Sequence, residues 1–520
     1  MPVIIIASGA VIAREFQAEI GRIPPAFLPL GHKRLYEHQA HHLRQAFPGE
    51  QIFMSIPASF RVPPHDIDLL AGLGVQQVQV PEELPLGASI LSIINRIGIY
   101  DGPLRQLHGD TLIDLFPNEA DVIGLGHTED DYPWEIEDRS AQDATAWCGY
   151  FSFSNIKLLA QSLALSQGNY VDAIRHYRTV QPQSTCLIEG WKDMGHINTY
   201  YRARAEFTTE RAFNQLRIED GVVRKTGTDG RKIEAESRWF SSLPPHLKKH
   251  TPQLIHWSTQ GSQPHYDIEY VPHLSLAELY VFGNLPVAFW AKIFQRVNQV
   301  LGDFAQATPE VRLHARLIQQ DFEQLIVHKT MARLQDHLGS QRQTFDTPHE
   351  LNGQSLPSLN DILRVCQAAI ASQAPMPSVI HGDFCFSNIL YDSRLDRLKL
   401  IDPRGLNGQS EPSIEGDLRY DIAKFTHSAV GLYDHIVSGH YELQELGTHR
   451  FFLKIDADLQ TQTAVKHFLS STLHGQRVFD ALPLVVLLFF SMLPLHAESP
   501  KRQRALYANA LRIFQLWREV

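Results

Sequence analysis

The tripeptide His-Gly-Asp occurs twice in this chain, and its second copy has the richer surroundings. Asp383 and Asn388 follow one apolar segment, and Asp402 closes another within LIDPRG. Together these side chains supply a proton acceptor and two oxygen ligands of the kind that Mg²⁺ prefers. The spacing predicts phosphoryl transfer to a hydroxyl group, with Asp383 as the acceptor base and Asn388 and Asp402 as catalytic metal ligands.

Each of these residues also has a structural interpretation when taken alone. Asp383 could cap a helix, Asn388 could close a turn, and Asp402-Pro403 is a common turn opener. Taken together, the set resembles the aminoglycoside phosphotransferase and choline kinase family, which carries HGDxxxxN and a later I-D-x-x-G. GDLRYDIAKF, residues 416–425, extends the resemblance. It implies a two-lobed, protein-kinase-like α+β domain that uses ATP and Mg²⁺, with His381 bracing the loop.

A kinase also needs a lysine that holds the nucleotide phosphates and a helical glutamate that positions it. VVRKTG offers Lys225 and the next helix offers Glu236, with Lys232 and Glu234 as rivals. Glu236 is preferred because apolar residues follow it at helical spacing on one face. These residues are Trp239, Phe240 and Leu243. The alternative is that Lys225 and Glu236 are solvated surface charges.

A linker between the two lobes is predicted in YDIEYVPHLSLAELY. Its position suggests that the backbone from Glu269 to Val271 binds adenine.

The first His-Gly-Asp ends at Asp110, and a second acid, Asp193, follows a distant apolar strand. Asp110 and the segment around Asp193 resemble sugar-1-phosphate and choline-phosphate nucleotidyltransferases. Trp191, Asp193, Gly195 and Tyr200 match that family, and His196 stands where it has threonine. The resemblance implies a Rossmann-like, GT-A-like sheet in which Asp110 and Asp193 bind Mg²⁺; His108 is then an ordinary strand residue.

Two glycines are candidate nucleotide contacts by the same resemblance. Gly9 lies in the opening segment, and Gly87 lies in LPLGASILSIIN, similar to the segment that holds the base. The chain departs from the family because it lacks the G-x-G-x-R signature and has Pro25 where the family has lysine. Arg14, Arg22 and Lys33 are the nearby cations that could supply the missing charge.

The elements that must position these side chains change character along the chain. The first 200 or so residues alternate apolar strands with helical segments, which predicts an α/β, mostly parallel sheet. Asp220-Gly221 is the turn signal of a hairpin. From about residue 285, helical patterns dominate, and they are interrupted by a strand pair in SVIHGD and RLKLID. We predict a nucleotidyltransferase-like domain over 1–205, a kinase N-lobe over 206–275 and a C-lobe over 276–520.

Composition sets the remaining bounds. With 520 residues, more than one core is expected, and a net charge of -10 argues against nucleic acid as a partner. The scattered cysteines favour free thiols and a cytoplasmic location. The apolar stretch at 482–495 is predicted to be a buried helix, so no membrane span is expected. An oligomer is possible.

Two sites in one chain suggest consecutive steps. The kinase would phosphorylate a small alcohol or sugar with ATP, and the transferase would join the ester to a nucleotide for a cell-surface polysaccharide. CTP is favoured by resemblance; choline, ethanolamine, a polyol or a sugar stay open as acceptors. The alternatives are a kinase with an inert N-terminal domain and a non-catalytic nucleotide-binding regulator.

Overall fold

The computed structural model of this protein describes residues 2–139, 144–206, 214–259, 264–306, 311, 314–339 and 345–519. The chain forms two compact units. Unit 1 comprises Met1–Phe207 with Phe282–Asn284, and unit 2 comprises Thr208–Val281 with Leu285–Val520.

Unit 1 is built on a mixed sheet with helices between its strands. Its strands are β1 (Val3–Ala7), β2 (Pro29–Leu30), β3 (Lys33–Arg34), β4 (Gln51–Pro57), β5 (Val75–Val80), β6 (Leu104–His108), β7 (Thr111–Leu112), β8 (Val122–Thr128), β9 (Ile136–Arg139), β10 (Ala144–Phe153), β11 (Ser184–Leu187) and β12 (Lys192–Asp193). Its helices are α1 (Arg14–Ile20), α2 (Leu35–Ala46), α3 (Pro64–Gly72), α4 (Leu86–Ile97), α5 (Ile156–Leu165), α6 (Tyr170–Val180) and α7 (Ile197–Glu206).

The main sheet of unit 1 has the strand order β11-β8-β10-β6-β1-β4-β5, with β9 paired to β10. β1 is parallel to both β4 and β6, and its apolar run VIIIA is buried, as expected for a strand covered on both faces. β10 runs antiparallel between β6 and β8. The predicted α/β architecture with a mostly parallel sheet is therefore confirmed for unit 1.

Unit 2 begins with a four-stranded antiparallel sheet and one helix. The sheet has the order β13-β14-β16-β15. These elements are β13 (Asn214–Glu219), β14 (Val222–Gly227), α8 (Gly230–Ser242), β15 (Leu254–Ser258) and β16 (His265–Glu269). The predicted hairpin is present: Asp220 and Gly221 have φ angles of 48° and 74°, as a two-residue turn with both residues left-handed requires.

The rest of unit 2 is largely helical. Its helices are α9 (Leu276–Phe282), α10 (Val287–Ala305), α11 (Ala315–Glu323), α12 (Lys329–Leu338), α13 (Leu359–Ala371), α14 (Leu418–Ala429), α15 (Tyr433–Val437), α16 (Leu459–Leu469), α17 (Leu482–Met492) and α18 (Pro500–Arg518). A π-helical segment, Gln324–His328, joins α11 to α12. The remaining strands are β17 (Leu274–Ser275), β18 (Pro348–Leu351), β19 (Gln354–Ser358), β20 (Pro377–Val379), β21 (Ile389–Asp392), β22 (Arg397–Leu400), β23 (Glu415–Asp417), β24 (Tyr441–Gly447), β25 (Arg450–Ile455), β26 (Thr472–Leu473) and β27 (Gln476–Arg477).

The predicted pairing of the strands that precede Asp383 and Asp402 is wrong. β20 pairs with β23, and β22 pairs with β21, so the two strands belong to different sheets. β21 and β22 form a local hairpin, whereas β20 pairs with the more distant strand β23. The strand ends are nevertheless joined, because the Arg404 backbone N–H donates to the His381 carbonyl at 3.0 Å.

The most apolar segment of the chain packs inside unit 2. Val478–His496 is, among the described residues, the one helical stretch long and apolar enough to cross a membrane, and 78% of its most apolar window is buried within the protein. Every residue of α17 within it is buried. This burial is that of a core helix, as the sequence predicts. All four cysteines are free thiols.

Candidate functional site

The loop after β20 brings Asp383 and Asn388 into direct contact. The Asn388 side-chain amide donates from Nδ2 to the backbone carbonyl and to Oδ2 of Asp383, both at 2.9 Å. Asn388 is buried, whereas the Asp383 side chain is about one-third exposed, at 34%. The amide therefore holds the loop closed while the Asp383 side chain stays partly accessible to solvent.

Lys225, Glu236 and Asp402 form a second cluster in the same unit. Lys225 Nζ lies 2.6 Å from Glu236 Oε2 and also bonds to Asp402 Oδ1. Burial alone would lower the pKa of Lys225, but Asp402 and Glu236 outweigh it and raise that pKa. The ammonium is therefore kept charged in a buried position.

The preference for Glu236 over its rivals agrees with this geometry. Glu236 is 1% exposed and also accepts from Tyr266 Oη at 3.0 Å, whereas Glu234 pairs with Arg238 on the helix surface. Lys232 reaches Glu236 only at 3.7 Å and is partly exposed. The predicted apolar residues are buried as well: Trp239 and Phe240 lie on α8, and Leu243 follows its last residue.

Backbone geometry explains how Asp402 meets this pair. Asp402 has a φ of 59°, a left-handed conformation that costs energy for a non-glycine residue and that clusters at functional sites. Gly405 follows with φ 63°, and a side chain there would meet the Ala235 carbonyl oxygen at 2.4 Å. Glycine lets the loop approach the backbone of α8 beside Glu236.

Asp421, on α14, anchors the His-Gly-Asp loop from behind. Its carboxylate accepts from the backbone N–H groups of His381 at 2.7 Å and Gly382 at 2.8 Å. The buried His381 ring contacts the Ile401 carbonyl through Nε2 at 3.0 Å, and burial lowers the pKa of His381 to about 4. A neutral His381 thus braces the loop against the strand that leads to Asp402, as predicted.

The sequence reasoning missed several cations at this site. Lys424 Nζ lies 2.8 Å from Asp383 Oδ1, and the acid raises the pKa of Lys424 against the effect of its burial. A cavity of about 280 Å³ contains Asp383 and Asp402, and it is also lined by Lys329, Arg333 and Arg404. Lys424 was detectable in GDLRYDIAKF and Arg404 in LIDPRG, whereas Lys329 and Arg333 lie in a segment without a motif.

The predicted adenine contacts do not join this cavity. Glu269 ends β16, and its N–H already donates to the Gln253 carbonyl at 2.9 Å. The Val271 carbonyl accepts from the His273 N–H at 2.9 Å, and neither Glu269 nor Val271 lines the cavity around Asp383. Their role in adenine binding stays a prediction.

In unit 1, β7 and β12 bring Asp110 and Asp193 together. β12 pairs with β7 so that Asp193 faces Thr111, and the Met194 N–H donates to the Asp110 carbonyl at 2.7 Å. Burial and the neighbouring Asp193 carboxylate raise the pKa of Asp110 to about 6. Two carboxylates that lie close together in a buried place repel each other, and a bound cation would stabilise their charged forms.

Asp193 is held by its own helix start. Its Oδ2 accepts from Thr199 Oγ1 at 2.6 Å and contacts His196 Nδ1 at 2.7 Å, and its Oδ1 accepts from the Gly195 N–H at 3.2 Å. Burial alone would lower the pKa of His196, but Asp193 outweighs it and raises that pKa. The Asp193 carboxylate thus favours the protonated form of His196, an electrostatic interaction that threonine in its place could not make.

An aromatic cluster that the sequence reasoning missed surrounds His196. Tyr132 stacks on the His196 ring with centroids 3.9 Å apart, and Trp134 meets both His196 and Trp191 edge to face. Tyr200 is buried and donates to the Pro29 carbonyl at 2.7 Å. Trp191 and Tyr200 thus shape the surroundings of Asp193 through packing.

The structure places the two predicted glycine contacts differently. A side chain at Gly9 would meet Val80 at 2.5 Å and Ser89 at 2.6 Å, so β1 ends in a tight space. A side chain at Gly87 would meet the Gly168 carbonyl oxygen at 2.5 Å. Packing of α4 against the Gly168 loop thus explains Gly87, and nucleotide binding by either glycine stays a prediction.

The candidate cations near the start of unit 1 lie at its surface. Arg22 pairs with Glu82, while Arg14 and Lys33 are exposed. Pro25 begins a 3-10 turn, Pro25–Phe27. Within the described residues, none of these cations contacts Asp110 or Asp193.

The oxygen donors at both sites fit Mg²⁺. Among the described residues, no group of three or more His, Cys, Asp or Glu side chains is placed to hold a metal ion. Mg²⁺ is commonly held by one or two carboxylates together with waters and substrate phosphates. Asp110 with Asp193 meets that requirement. In unit 2, Asp402 supplies one carboxylate, and the oxygen that Asn388 offers is Oδ1, which accepts from Ser387 Oγ at 3.3 Å while the amide nitrogen donates to Asp383.

Comparison with known proteins gives structural likenesses at the N-terminal side of the chain. No protein-family model and no curated protein matches the chain. A nucleoside-diphosphate-sugar pyrophosphorylase from Vibrio cholerae RC9 aligns at 14% identity and a TM-score of 0.33, over 39% of this chain and 99% of its own. HddC from Yersinia pseudotuberculosis aligns at 17% identity and a TM-score of 0.29, over 40% and 99%. The inositol-1-phosphate CTP transferase from T. maritima aligns at 14% identity and a TM-score of 0.29, over 41% and 97%.

Proposed function

We propose that the chain is a transferase of phosphorus-containing groups with one site in each unit. More specifically, unit 2 is a small-molecule kinase that phosphorylates an alcohol or sugar with ATP. Unit 1 is a nucleotidyltransferase that joins the resulting ester to a nucleotide, with CTP favoured. The product would be an activated precursor for a cell-surface polysaccharide.

One observation carries the kinase proposal. Lys225 bonds to both Glu236 and Asp402, and Asp402 lines the same cavity as Asp383. A buried lysine held by a helical glutamate, opposite an acid and an Asp–Asn loop, is the set that phosphoryl transfer requires.

In unit 2, the acceptor hydroxyl oxygen attacks the γ-phosphorus of ATP. The new O–P bond forms as the bond from the γ-phosphorus to the β–γ bridging oxygen breaks, and ADP leaves. Asp383 orients the hydroxyl group and accepts its proton, while Lys225 holds the nucleotide phosphates. Mg²⁺ on Asn388 and Asp402 would neutralise phosphate charge.

In unit 1, an oxygen of the phosphate ester attacks the α-phosphorus of the nucleotide. The O–P bond forms as the α–β phosphoanhydride breaks, and pyrophosphate leaves. Asp110 and Asp193 would hold Mg²⁺ on the nucleotide phosphates, which supplies charge neutralisation. His196 keeps Asp193 oriented through their 2.7 Å contact.

A second candidate is a kinase whose unit 1 is catalytically inert. It is favoured by Pro25 in place of the family's lysine and by the pairing of Arg22 with Glu82. This candidate forms ADP but releases no pyrophosphate. A non-catalytic regulator would do neither.

The test incubates the purified chain with Mg²⁺, ATP, CTP and a panel of small alcohols, and follows ADP and pyrophosphate separately. Asp383→Asn is expected to abolish acceptor-dependent ADP formation, and Asp193→Asn is expected to abolish pyrophosphate release without changing ADP formation. The matched control, Asp68→Asn, changes an exposed aspartate on α3 and should leave both products unchanged.

Acceptor-dependent ADP formation that survives Asp383→Asn would contradict the kinase site. Pyrophosphate release that survives Asp193→Asn would contradict the transferase site.

A further inference from the structure

The cavity of unit 2 holds more positive charge than the kinase chemistry uses. We define the basic cluster as Lys329, Arg333 and Arg404, which are half-buried and line the cavity with Asp383. The acids of the cavity are engaged by other cations, since Asp383 pairs with Lys424 and both Glu236 and Asp402 pair with Lys225. Within the described residues, no salt bridge joins the basic cluster to a carboxylate.

The charged groups that act on Lys329 are themselves cations. Burial and the positive charges of Arg404, Arg333 and Lys424 lower the pKa of Lys329 to about 8. Such crowding of like charge costs free energy unless a negative group binds among them. Arg333 is fixed in place, because its Nη1 donates to the Ser491 carbonyl at 3.0 Å and to Ser491 Oγ at 3.2 Å.

Two members of the basic cluster, Lys329 and Arg333, lie on an element other than those of the nucleotide machinery, whereas Arg404 follows Asp402 by two residues in the same loop. Lys329 and Arg333 occupy one face of α12, directly after the π-helical segment, and that helix packs on α17. Lys225 and Glu236 belong to the antiparallel sheet and to α8. Short π-helical segments within helices occur frequently at functional sites. Asp383, the acceptor base of the proposed kinase, lines the same cavity as the basic cluster, so an acceptor bound at Asp383 would be within the same enclosure as these cations.

The same lining argues against a cationic acceptor. Tyr420 is the one aromatic residue among the described residues that line the cavity. The Arg404 guanidinium lies 5.7 Å from the centre of the Tyr420 ring. An aromatic cage for a quaternary ammonium group needs free ring faces, and this ring already faces a cation.

We propose that the alcohol phosphorylated in unit 2 carries an anionic group, a carboxylate or a phosphate, which the basic cluster of Lys329, Arg333 and Arg404 binds. This inference rests on the proposed kinase function and narrows its acceptor from the open set of choline, ethanolamine, polyols and sugars. Arginine suits either anion because its planar guanidinium can donate two parallel hydrogen bonds. The apolar part of the cavity, which includes Leu325, Leu488 and Leu495, leaves room for a compact body.

The test measures binding to the full chain saturated with Mg²⁺ and AMP-PNP, so that the nucleotide end is occupied. The probes are glycerol 3-phosphate, D-glycerate, glycerol and choline, titrated by calorimetry. The two anions are expected to bind at least tenfold more tightly than glycerol, with choline weakest. The phosphate and carboxylate probes distinguish the two sources of negative charge.

Charge variants locate the binding. Lys329→Gln and Arg333→Gln are expected to weaken anion binding roughly ten- to hundredfold, the range for a charge-assisted hydrogen bond, with the affinity for AMP-PNP unchanged. Lys329→Arg keeps the charge and should keep binding, which separates loss of charge from misfolding. Arg316→Gln, an exposed cation on α11 outside the cavity lining, is the matched control.

Tighter binding of choline or glycerol than of either anion would overturn the inference. Anion binding that survives both glutamine variants would also overturn it, as would weaker AMP-PNP binding in those variants. Failure of the proposed kinase function would give a different result. Anions would still bind in a way that depends on Lys329, but no acceptor would give ADP formation that depends on Asp383.

Discussion

Lys225 is the side chain on which the proposed nucleotide site depends. It is 4% exposed and bonds to both Glu236 and Asp402. Lys225→Met removes the charge that holds the nucleotide phosphates, so we expect the KM for ATP to rise and kcat to fall, with kcat/KM reduced roughly a hundredfold or more. Steady-state kinetics at saturating acceptor measures both constants.

The neighbouring glutamates supply a matched pair for the same assay. Glu236→Gln keeps a hydrogen bond to Lys225 but loses the charge, so an intermediate loss is expected. Glu234→Gln, on the same helix but paired with Arg238, should leave kinetics unchanged. Equal effects of the two substitutions would show that Glu236 has no special role.

His349 gives a pH dependence of stability in unit 2. Its ring is buried, Nε2 lies 2.6 Å from Tyr507 Oη, and burial lowers the pKa of His349 to about 4. The unfolded chain, with an ordinary histidine pKa, binds a proton at higher pH than the folded chain does. The stability associated with neutral His349 is therefore present above about pH 6.5 and is lost as pH falls towards 4.

Thermal unfolding from pH 7 to pH 4 measures this effect. The midpoint of His349→Gln should fall less steeply with acid than that of the unaltered chain, even if the variant is less stable at pH 7. His246→Gln, at an exposed position, is the control. Parallel pH profiles for the two variants would contradict the assignment.

At the residue scale, the sequence indicated contacts between side chains where they shared a periodic face or a motif. Glu236 could be separated from Glu234 because three apolar residues share its face of the helix, and all three are buried. Lys329 and Arg333 could not be found this way, since long-range packing of α12 on α17 brings them to the cavity. Tyr132 and Trp134 likewise reach His196 through packing that no local pattern encodes.

At the scale of elements, a substitution at Gly87 distinguishes a role in helix packing from a role in nucleotide binding. A side chain there would meet the Gly168 carbonyl at 2.5 Å, so Gly87→Ala should push α4 away from its neighbour. Overpacking of this kind costs about 1–3 kcal/mol. We expect the urea concentration at the unfolding midpoint to fall. The affinity of the folded protein for nucleotide should change little.

Gly72→Ala, at the end of α3, is the matched glycine substitution, because nothing lies within 4 Å of the added carbon. It should not lower the midpoint. A fully stable Gly87→Ala chain that has lost CTP binding would favour the nucleotide contact instead.

The positions of helices and strands were predictable from local sequence patterns. Which strands pair with each other was less predictable. The alternation in unit 1 and the Asp220-Gly221 turn depend on local chemistry, and both are present. The partners of β20 and β22 were predicted wrongly because strands this short carry little register information. The β24–β25 hairpin, rich in exposed polar residues, gave no clear strand signal.

At the scale of the whole molecule, the chain divides into two units with a candidate site in each. The two His-Gly-Asp tripeptides occupy different surroundings, one beside Asp193 and the other beside Asn388, Lys424 and Asp421. The sequence predicted both constellations because motifs place their acids on strand ends. Which acceptor and nucleotide they take depends on cavity walls assembled from distant segments.

The most direct test of the two-step account follows one phosphorus atom. The chain is incubated with Mg²⁺, CTP, ATP labelled with ³²P at the γ position, and the acceptor that the panel identifies. The account predicts label in the phosphate ester and then in the cytidine diphosphate adduct. Asp383→Asn should give neither labelled product, and Asp193→Asn should stop at the ester. A labelled ester that never becomes a nucleotide adduct in the unaltered chain, although CTP is present, would contradict the central claim.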